Sequence, residues 1–294
     1  MSAPVLLADH APAKVNLTLR VLGRRADGYH ELESLVVFAD FGDRLSFSRG
    51  GDLVLTVHGP SAAAAGEGGD NLVHKAARAL AARRPGLALG AFDLDKRLPV
   101  AAGLGGGSSD AAAALRLLAE ANGIARDDAD LHAAARATGA DVPVCLDPRP
   151  RIMRGIGERL SAPLALPPLP AVLVNPGVAL PTKAVFASWK ASPAAAAALD
   201  EAALAKLTSA RELVRLVAEQ TNDLEPPAIA LQPSVADVLA ALRERPGCAL
   251  ARMSGSGATC FGLFGTPDEA AAAEKALSVK QPAWWVKATT LGGR

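Results

Sequence analysis

Alternating apolar and polar residues mark the first sixty positions of the chain. Residues 15–21 alternate strictly between the two kinds, which predicts a strand with one buried face, opened by Lys14. Shorter alternations follow at residues 45–47 and 53–57. Together these runs predict several neighbouring strands of one sheet.

Helical periods follow the first strands. The pair Asp70 and Asn71 predicts the start of a helix that runs to about residue 83. Further helices are predicted at residues 109–121 and 127–138. The strands and helices of the first half therefore belong to one mixed domain.

The second half of the chain mixes short strands with a capped helix. Thr266 and Glu269 form a capping box for a helix that ends near residue 277. The alanine-rich residues 194–210 predict a solvent-facing helix without a site. Strands are predicted at residues 171–174, 250–253, 259–264 and 285–290.

Length and composition describe a globular chain with room for two domains. The 294 residues are 50% hydrophobic and 21% charged, and a domain usually has about 150 residues. The proline-rich residues 162–170 are the expected hinge. The predicted domains are therefore residues 1–163 and 164–294.

Charge and cysteine content narrow the class of partners. The 31 Lys and Arg residues against 30 Asp and Glu leave a net charge of +1, which argues against a nucleic-acid partner. The cysteines Cys145, Cys248 and Cys260 form no C-x-x-C pair, so neither a disulfide framework nor a thiolate metal site is expected, and a reducing cytoplasm is favoured. Prolines interrupt the uncharged residues 160–182, and the first eight residues lack an export pattern, so neither a membrane partner nor export is expected.

A glycine-rich segment directly before a predicted helix carries the strongest chemical signal. Residues 103–109 read Gly-Leu-Gly-Gly-Gly-Ser-Ser, and such a loop can turn several backbone N–H groups toward one anion. No lysine follows the glycines, which excludes a Walker A loop, and Ser108 stands where a dinucleotide fingerprint needs glycine. The other interpretation is a loop at a tight packing contact. A second cluster at residues 253–259, alone typical of a turn, suggests with the first that two glycine loops face one phosphorylated ligand.

Three motifs, in this order, resemble the GHMP kinase superfamily: residues 12–17, 99–109 and 254–258. Residues 23–31 and 139–144 are also similar to one branch, whose substrate is a cytidine diphosphate-linked methylerythritol of isoprenoid precursor synthesis. The resemblance implies an α+β fold of two domains, with ATP and a small-molecule substrate meeting in the cleft between them. It is weak through residues 194–210, and it leaves the oligomeric state open.

For ATP, the resemblance implies a site around the glycine loop, with Asn71 and Lys96 near the adenine. From the residues alone, Asn71 can equally be a helix cap and Lys96 a solvated strand-end charge. Many relatives carry an extra glycine within residues 100–102, where backbone groups bind phosphate. The cofactors implied are ATP and Mg²⁺, whose protein ligand is unknown; His10, His58, His74 and His132 show no metal spacing. The expected ATP-binding residues are Asn71, Lys96, Pro99, Val100, Ala101, Ala102, Gly103, Leu104, Gly105, Gly106, Gly107, Ser108 and Ser109, joined by Gly255, Ser256 and Gly257 of the third motif.

For catalysis, the resemblance implies the pair Lys14 and Asp141. The residues alone also allow a solvated strand-end charge for Lys14 and a helix N-cap or turn for Asp141. For the acceptor it implies a cytosine stacked between Tyr29 and Phe186. It also implies a neutral His30 at the base edge, whereas the residues alone also allow an exposed histidine in a turn. The expected substrate-binding residues are Asn16, Tyr29, His30, Asp141, Thr182 and Phe186.

Two alternative functions stay open at this point. One is another GHMP kinase that phosphorylates a different alcohol, against which residues 26–31 argue. The other is a nucleotide-binding module without catalysis, which the presence of Lys14 and Asp141 disfavours. A dehydrogenase is excluded for two reasons. Ser108 stands where the dinucleotide fingerprint needs glycine, and no acidic residue lies on a following strand in a doubly wound pattern.

Overall fold

The chain passes more than once through each of two structural units. The structure is a computed structural model that describes residues 6–191 and 197–292. Unit 1 contains the described residues of Met1–Ala13, Gly42–Val100 and Gly105–Pro148, and unit 2 contains those of Lys14–Phe41, Ala101–Leu104 and Arg149–Arg294. The predicted domain boundary at residue 163 stays a prediction.

Strands and helices follow one another in runs along the described residues, a pattern typical of an α+β chain. The strands are β1 (Leu6–Asn16), β2 (Arg20–Arg24), β3 (His30–Arg49), β4 (Val54–His58), β5 (Gly90–Asp95), β6 (Arg151–Gly155), β7 (Arg159–Leu160), β8 (Leu169–Asn175), β9 (Cys248–Met253), β10 (Cys260–Phe264) and β11 (Trp285–Leu291). The helices are α1 (Ala62–Ala65), α2 (Leu72–Ala81), α3 (Gly106–Asn122), α4 (Ala129–Thr138), α5 (Val142–Leu146), α6 (Thr182–Ser188), α7 (Glu201–Ala205), α8 (Ala210–Ala218), α9 (Glu225–Leu231), α10 (Ser234–Arg243) and α11 (Pro267–Lys280).

Unit 1 packs helices α2 and α3 together beside a short sheet. In the sheet, β5 pairs antiparallel with the last part of β3 and parallel with β4. Helix α3 is buried from Ser109 to Ala119, and much of this core is small: residues 111–114 are four alanines without exposed surface. Small side chains let the neighbouring helix backbones approach closely.

Unit 2 is built on an antiparallel sheet in which β11, β8, β10 and β9 follow one another. The first part of β3 pairs with β2 and β6, and Ala39 pairs with Leu291 of β11. Helices α10 and α11 pack on this sheet and bury Val238, Leu242 and Leu277. The capping box predicted for α11 is present, with the Thr266 hydroxyl accepting from the Glu269 N–H.

The strand predicted at residues 15–21 is wrong in extent and in burial. Strand β1 ends at Asn16, β2 begins at Arg20, and every residue from 11 to 19 is buried, so Lys14 lies inside a strand. The polar positions are buried because they find partners there. The Asn16 amide donates to the Ser34 hydroxyl at 2.7 Å, and the Thr18 hydroxyl accepts from the Leu35 N–H at 3.0 Å.

The helix after the glycine loop begins three residues earlier than predicted. Gly105 adopts the left-handed conformation (φ 59°), and Gly106, Gly107 and Ser108 already belong to α3. Side chains that pack against the first turn account for the glycines. A Cβ on Gly106 would lie 3.2 Å from the Lys96 Nζ, and one on Gly107 would lie 3.3 Å from the Leu72 Cδ1.

The helix predicted at residues 194–210 is also wrong within the described part. Residues 197–200 are irregular, and helix α7 covers only Glu201–Ala205, with the Asp200 carboxylate capping its first turn. Residues 194–196 lie outside the described residues. Through residues 6–191 and 197–292, no helix combines the length and the apolar character that crossing a bilayer requires.

Candidate active site

Ser254 joins two of the sequence motifs inside unit 2. Its hydroxyl accepts from the Asn16 N–H at 3.1 Å and donates to the Gly103 carbonyl at 2.9 Å. The Ser254 side chain is fully buried. The end of β1 and the middle of the glycine loop are therefore held by the residue that opens the third motif.

Backbone contacts tighten the same arrangement. The Lys14 N–H donates to the Leu104 carbonyl at 2.8 Å, and the Thr259 N–H donates to the Ala102 carbonyl at 3.1 Å. A Cβ on Gly103 would lie 2.4 Å from the Ser254 carbonyl oxygen, and its φ is +77°. Only glycine fits at residue 103, because both the space and the backbone conformation exclude a side chain.

Two buried side chains, the Asn222 amide and the Arg252 guanidinium, hold the backbone in and near the third motif. The Asn222 amide donates to the Met253 and Gly255 carbonyls, each at 2.8 Å. Arg252 donates to three carbonyls, one of which is that of Leu17 beside the predicted substrate residue Asn16. The buried Asn222 amide thus fixes the loop backbone, and the buried Arg252 fixes the chain next to Asn16.

An aromatic cluster surrounds His30 in unit 2. Its ring stacks on Phe186 with a centroid distance of 5.0 Å and meets the Trp189 ring edge-on at 5.7 Å. His30 is thus packed and is not an exposed turn histidine. Burial, with a contribution from Arg24, lowers the pKa of His30, which favours a neutral imidazole. Tyr29 next to it is 60% exposed.

Other predicted residues of unit 2 occupy neighbouring positions. The Thr182 hydroxyl, at the start of α6, is 2.8 Å from the Ser256 hydroxyl of the third motif. Ala101 has a φ of 51°, a left-handed conformation that costs a residue with a Cβ about 1–2 kcal/mol. Within residues 100–102 this is the place where an extra glycine would relieve strain.

In unit 1, the start of α3 presents free backbone donors. The first N–H groups of a helix have no partner within it, and Gly105 at the N-cap supplies no side chain to bind them. Together with the partial positive charge of the helix N-terminus, these donors form a site for an anion. Residues 105–109 of the predicted ATP loop therefore have the chemistry expected of them.

Asn71 caps helix α2. Its carboxamide oxygen accepts from the Val73 N–H at 2.9 Å, and its amide nitrogen donates to the Gly66 carbonyl at 2.9 Å. The capping interpretation is thus confirmed, and proximity to the adenine stays a prediction.

Lys96 is buried between the side chains of two aspartates and is not the solvated strand-end charge that the sequence allowed. Its ammonium lies 2.6 Å from Asp43 and 2.5 Å from Asp110, and all three side chains are at most 3% exposed. Burial, to which the negative charge of Asp43 adds, raises the pKa of Asp110 to about 8 against the opposing attraction of Lys96. The carboxyl of Asp110 is therefore largely protonated at neutral pH.

The two predicted catalytic residues belong to different structural units. Lys14 is 3% exposed, so the solvated strand-end interpretation is wrong for it as well. Asp141 is partly buried at the N-cap of α5, but its carboxylate makes no capping hydrogen bond to that helix. Within residues 6–191 and 197–292, no three His, Cys, Asp or Glu side chains are grouped as a metal site.

Comparison with known proteins decides the family. The GHMP kinases N terminal domain matches residues 71–147, and the GHMP kinases C terminal domain matches residues 196–281. A 4-diphosphocytidyl-2-C-methyl-D-erythritol kinase of Xanthobacter autotrophicus is 58% identical over 290 residues, covering 97% of this chain and 99% of that protein. The chain belongs to the GHMP kinase family. It is an ATP-dependent phosphotransferase.

Further relatives of this GHMP kinase support the same assignment. A 4-diphosphocytidyl-2-C-methyl-D-erythritol kinase of Rhodopseudomonas palustris is 56% identical, with 97% of both chains covered. A crystal structure of 4-(cytidine 5'-diphospho)-2C-methyl-D-erythritol kinase superposes with a TM-score of 0.77 at 39% identity, covering 98% of this chain and 100% of that chain. Homoserine kinase from Cytophaga hutchinsonii, at 20% identity and a TM-score of 0.72, shares the fold.

Several residues of this GHMP kinase's candidate site were missed by sequence reasoning. Ser254 opens the third motif, and that position was the available signal, although Ser254 was not predicted as a site residue. Asn222 and Trp189 had no such signal, because their partners are distant in sequence or lie on another element. Asp43 and Asp110 resembled ordinary surface carboxylates in the sequence.

Proposed function

We propose that this chain transfers the γ-phosphate of ATP to the 2-hydroxyl of 4-diphosphocytidyl-2-C-methyl-D-erythritol, giving the 2-phosphate and ADP. Such a reaction supplies isoprenoid precursors by a route that does not use mevalonate. The observation that carries the proposal is the full-length similarity to relatives of that name, at 58% and 56% identity. We also propose a cytoplasmic location, as the cysteine content predicts.

The glycine loop is the proposed triphosphate site. Support comes from the uncapped N-terminus of α3 in unit 1 and from the tightly held backbone of Gly103 in unit 2. Phosphoryl transfer requires mainly positioning and charge neutralisation, and a Mg²⁺ ion that enters with the nucleotide would supply part of that charge. The protein donors proposed here are backbone N–H groups.

Lys14 and Asp141 are the proposed catalytic residues. A buried ammonium has little bulk water to compete with, so its attraction for developing negative charge is strong. A carboxylate can accept the proton of the attacking hydroxyl or orient that hydroxyl. The burial of Lys14 supports its role.

The aromatic cluster is the proposed site for the cytidine base. His30 and Phe186 already form one stacked pair, and Tyr29 beside them is exposed. A cytosine stacked on aromatic rings gains about 1–3 kcal/mol, and a neutral imidazole can donate or accept one hydrogen bond at the base edge. Asn16 and Thr182 complete the proposed acceptor residues.

The substrate assignment is tested by the product. The chain is incubated with ATP, Mg²⁺ and one of four alcohols: 4-diphosphocytidyl-2-C-methyl-D-erythritol, mevalonate, galactose or homoserine. We expect a new phosphomonoester by phosphorus NMR and equimolar ADP only with the first. Product from another alcohol alone would identify a different GHMP kinase, and ATP binding without turnover of any of the four would indicate a non-catalytic module.

A further inference from the structure

The Asp43–Lys96–Asp110 cluster connects three elements of unit 1 at one point. Asp43 comes from β3, Lys96 follows β5, and Asp110 belongs to the first turns of α3. The Asp43 carboxylate is saturated, because one oxygen accepts from the Arg97 and Leu98 N–H groups and the other from the Lys96 ammonium. Asp43 therefore anchors the lysine to the backbone that leads into the glycine loop.

On the other side, the ammonium lies against the first turn of α3. Gly106 and Asp110 are four residues apart and share one helix face. The Lys96 Nζ is 2.5 Å from the Asp110 carboxylate and 3.2 Å from the position of a Cβ on Gly106. The lysine thus packs beneath the helix turn whose N–H groups are free.

The family resemblance places Lys96 near the adenine, but its side chain has little surface for a direct contact with the base. The Lys96 side chain is 3% exposed, and its ammonium already contacts one oxygen of Asp43 and one oxygen of Asp110. A group so enclosed acts on a nucleotide through the backbone that it holds.

We propose that Lys96 is a positioning residue that, through Asp110, fixes the first turn of α3 and thereby aims its free N–H groups at the phosphates of the nucleotide. The proposal rests on the proposed role of the glycine loop. It assigns to Asp43 and Asp110 a part in nucleotide binding without contact with the nucleotide.

The test compares ligands that differ only in their phosphates. Binding of adenosine, ADP and ATP is measured by calorimetry for the full chain and for Lys96→Met and Asp110→Ala. We expect ADP and ATP to bind about tenfold more weakly or worse in both variants, the loss for about one misaligned charge-assisted hydrogen bond, while adenosine affinity changes less than about twofold. Lys280→Met and Asp93→Ala, which remove exposed charges, are the matched controls and should bind all three ligands as the parent does.

Each other outcome has a definite meaning. Equal losses for adenosine and ADP in Lys96→Met, with Asp110→Ala unaffected, would show that Lys96 contacts the base and overturn the proposal. Unchanged ADP affinity in both folded variants would also overturn it. If Lys96→Met does not fold, Asp110→Ala decides alone, because Asp43 still balances the lysine there. A parent chain that binds adenosine as tightly as ADP would instead refute the phosphate role of the loop itself.

Discussion

A buried carboxyl group that holds its proton makes stability depend on pH. In the native state the pKa of Asp110 is raised to about 8, whereas an unfolded chain releases this proton near pH 4. Between these values the native state binds one proton more than the unfolded state, so the free energy of unfolding falls as pH rises. The contribution is fully present below about pH 4 and is lost as pH rises through 8.

Asp110→Asn should remove this dependence, because an amide is neutral at every pH. We expect the difference in unfolding free energy between the parent and Asp110→Asn to change by about 1.4 kcal/mol per pH unit from pH 5 to 7, measured by urea denaturation. Asp93→Asn, on the surface of the same unit, is the control and should show no such slope. A parallel pair of stability curves for the parent and Asp110→Asn would contradict the proton on Asp110.

Lys14→Ala should lower kcat more than it raises KM for ATP. A cation directed at the reacting oxygens stabilises charge that develops mainly in the transition state. Lys14→Arg should not restore the rate, because the planar guanidinium replaces a compact ammonium in a buried position. Steady-state kinetics of both variants, with Lys280→Met as the surface control, measure this. Full activity in either variant would remove Lys14 from the catalytic residues.

The Asp141→Asn variant distinguishes two possible roles of Asp141, a general base and a group that only orients the hydroxyl. The amide preserves the shape and a hydrogen bond but does not accept the proton, so kcat should fall by about 10²–10⁴-fold if Asp141 is a general base. Binding of ATP and of the acceptor, followed by calorimetry, should stay near the parent values. A variant that keeps most of its kcat would leave Asp141 an orienting role.

At the scale of elements, the aromatic cluster should bind one substrate only. Tyr29→Ala and Phe186→Ala should each weaken binding of 4-diphosphocytidyl-2-C-methyl-D-erythritol by about 1–3 kcal/mol, the worth of stacking one base. ATP binding should be unchanged, because the glycine loop and the cluster are different surfaces. Phe41→Ala, an aromatic of unit 2 that packs near Trp285, is the matched control for calorimetry. An equal loss of ATP affinity would contradict the assignment.

Elements with local signals were predictable from the sequence, and elements defined by distant partners were not. The caps of α2 and α11 were found because the residues involved are neighbours along the chain. The burial of residues 15–21 was predicted wrongly. The alternating pattern assigns Asn16 and Thr18 to solvent, but their side chains form hydrogen bonds with Ser34 and Leu35 inside the fold. The first turn of α3 was missed because glycine is a poor helix former, and the contacts with Lys96 and Leu72 that favour it there lie elsewhere in the sequence.

The same reason explains what was missed at the candidate site. The glycine motifs could be found in the sequence, because clustered glycines indicate backbone conformations that other residues rarely adopt. The hydrogen bond from Asn16 to Ser254 spans 238 residues, and the bonds from Asn222 reach carbonyls about 30 residues away. Residues such as Lys96 were found as candidates, but their burial and their partners came only from the folded chain.

For the molecule as a whole, the residues proposed for the nucleotide and those proposed for the acceptor lie differently with respect to the matched family domains. The glycine loop, Asn71, Lys96 and the third motif lie within residues 71–147 and 196–281, which match the family domains. The residues proposed for the acceptor lie largely outside these spans, as Asn16, His30 and Phe186 illustrate. The spans that match the family domains therefore hold the residues proposed for the nucleotide and few of those proposed for the acceptor.

Each unit is built from several chain segments, so residues that contact each other in the fold are synthesised at different times. Residues 14–19 are synthesised long before Ser254 and Arg252, whose side chains bond to Asn16 and Leu17. At about 5–20 residues per second, the 238 residues between Asn16 and Ser254 take roughly 10–50 s to translate. During that interval the nascent chain carries an apolar strand end whose final partners do not yet exist. We therefore expect unit 2 to complete its fold only after Arg252 and Ser254 have left the ribosome, and the nascent chain to be more prone to aggregation than the folded enzyme.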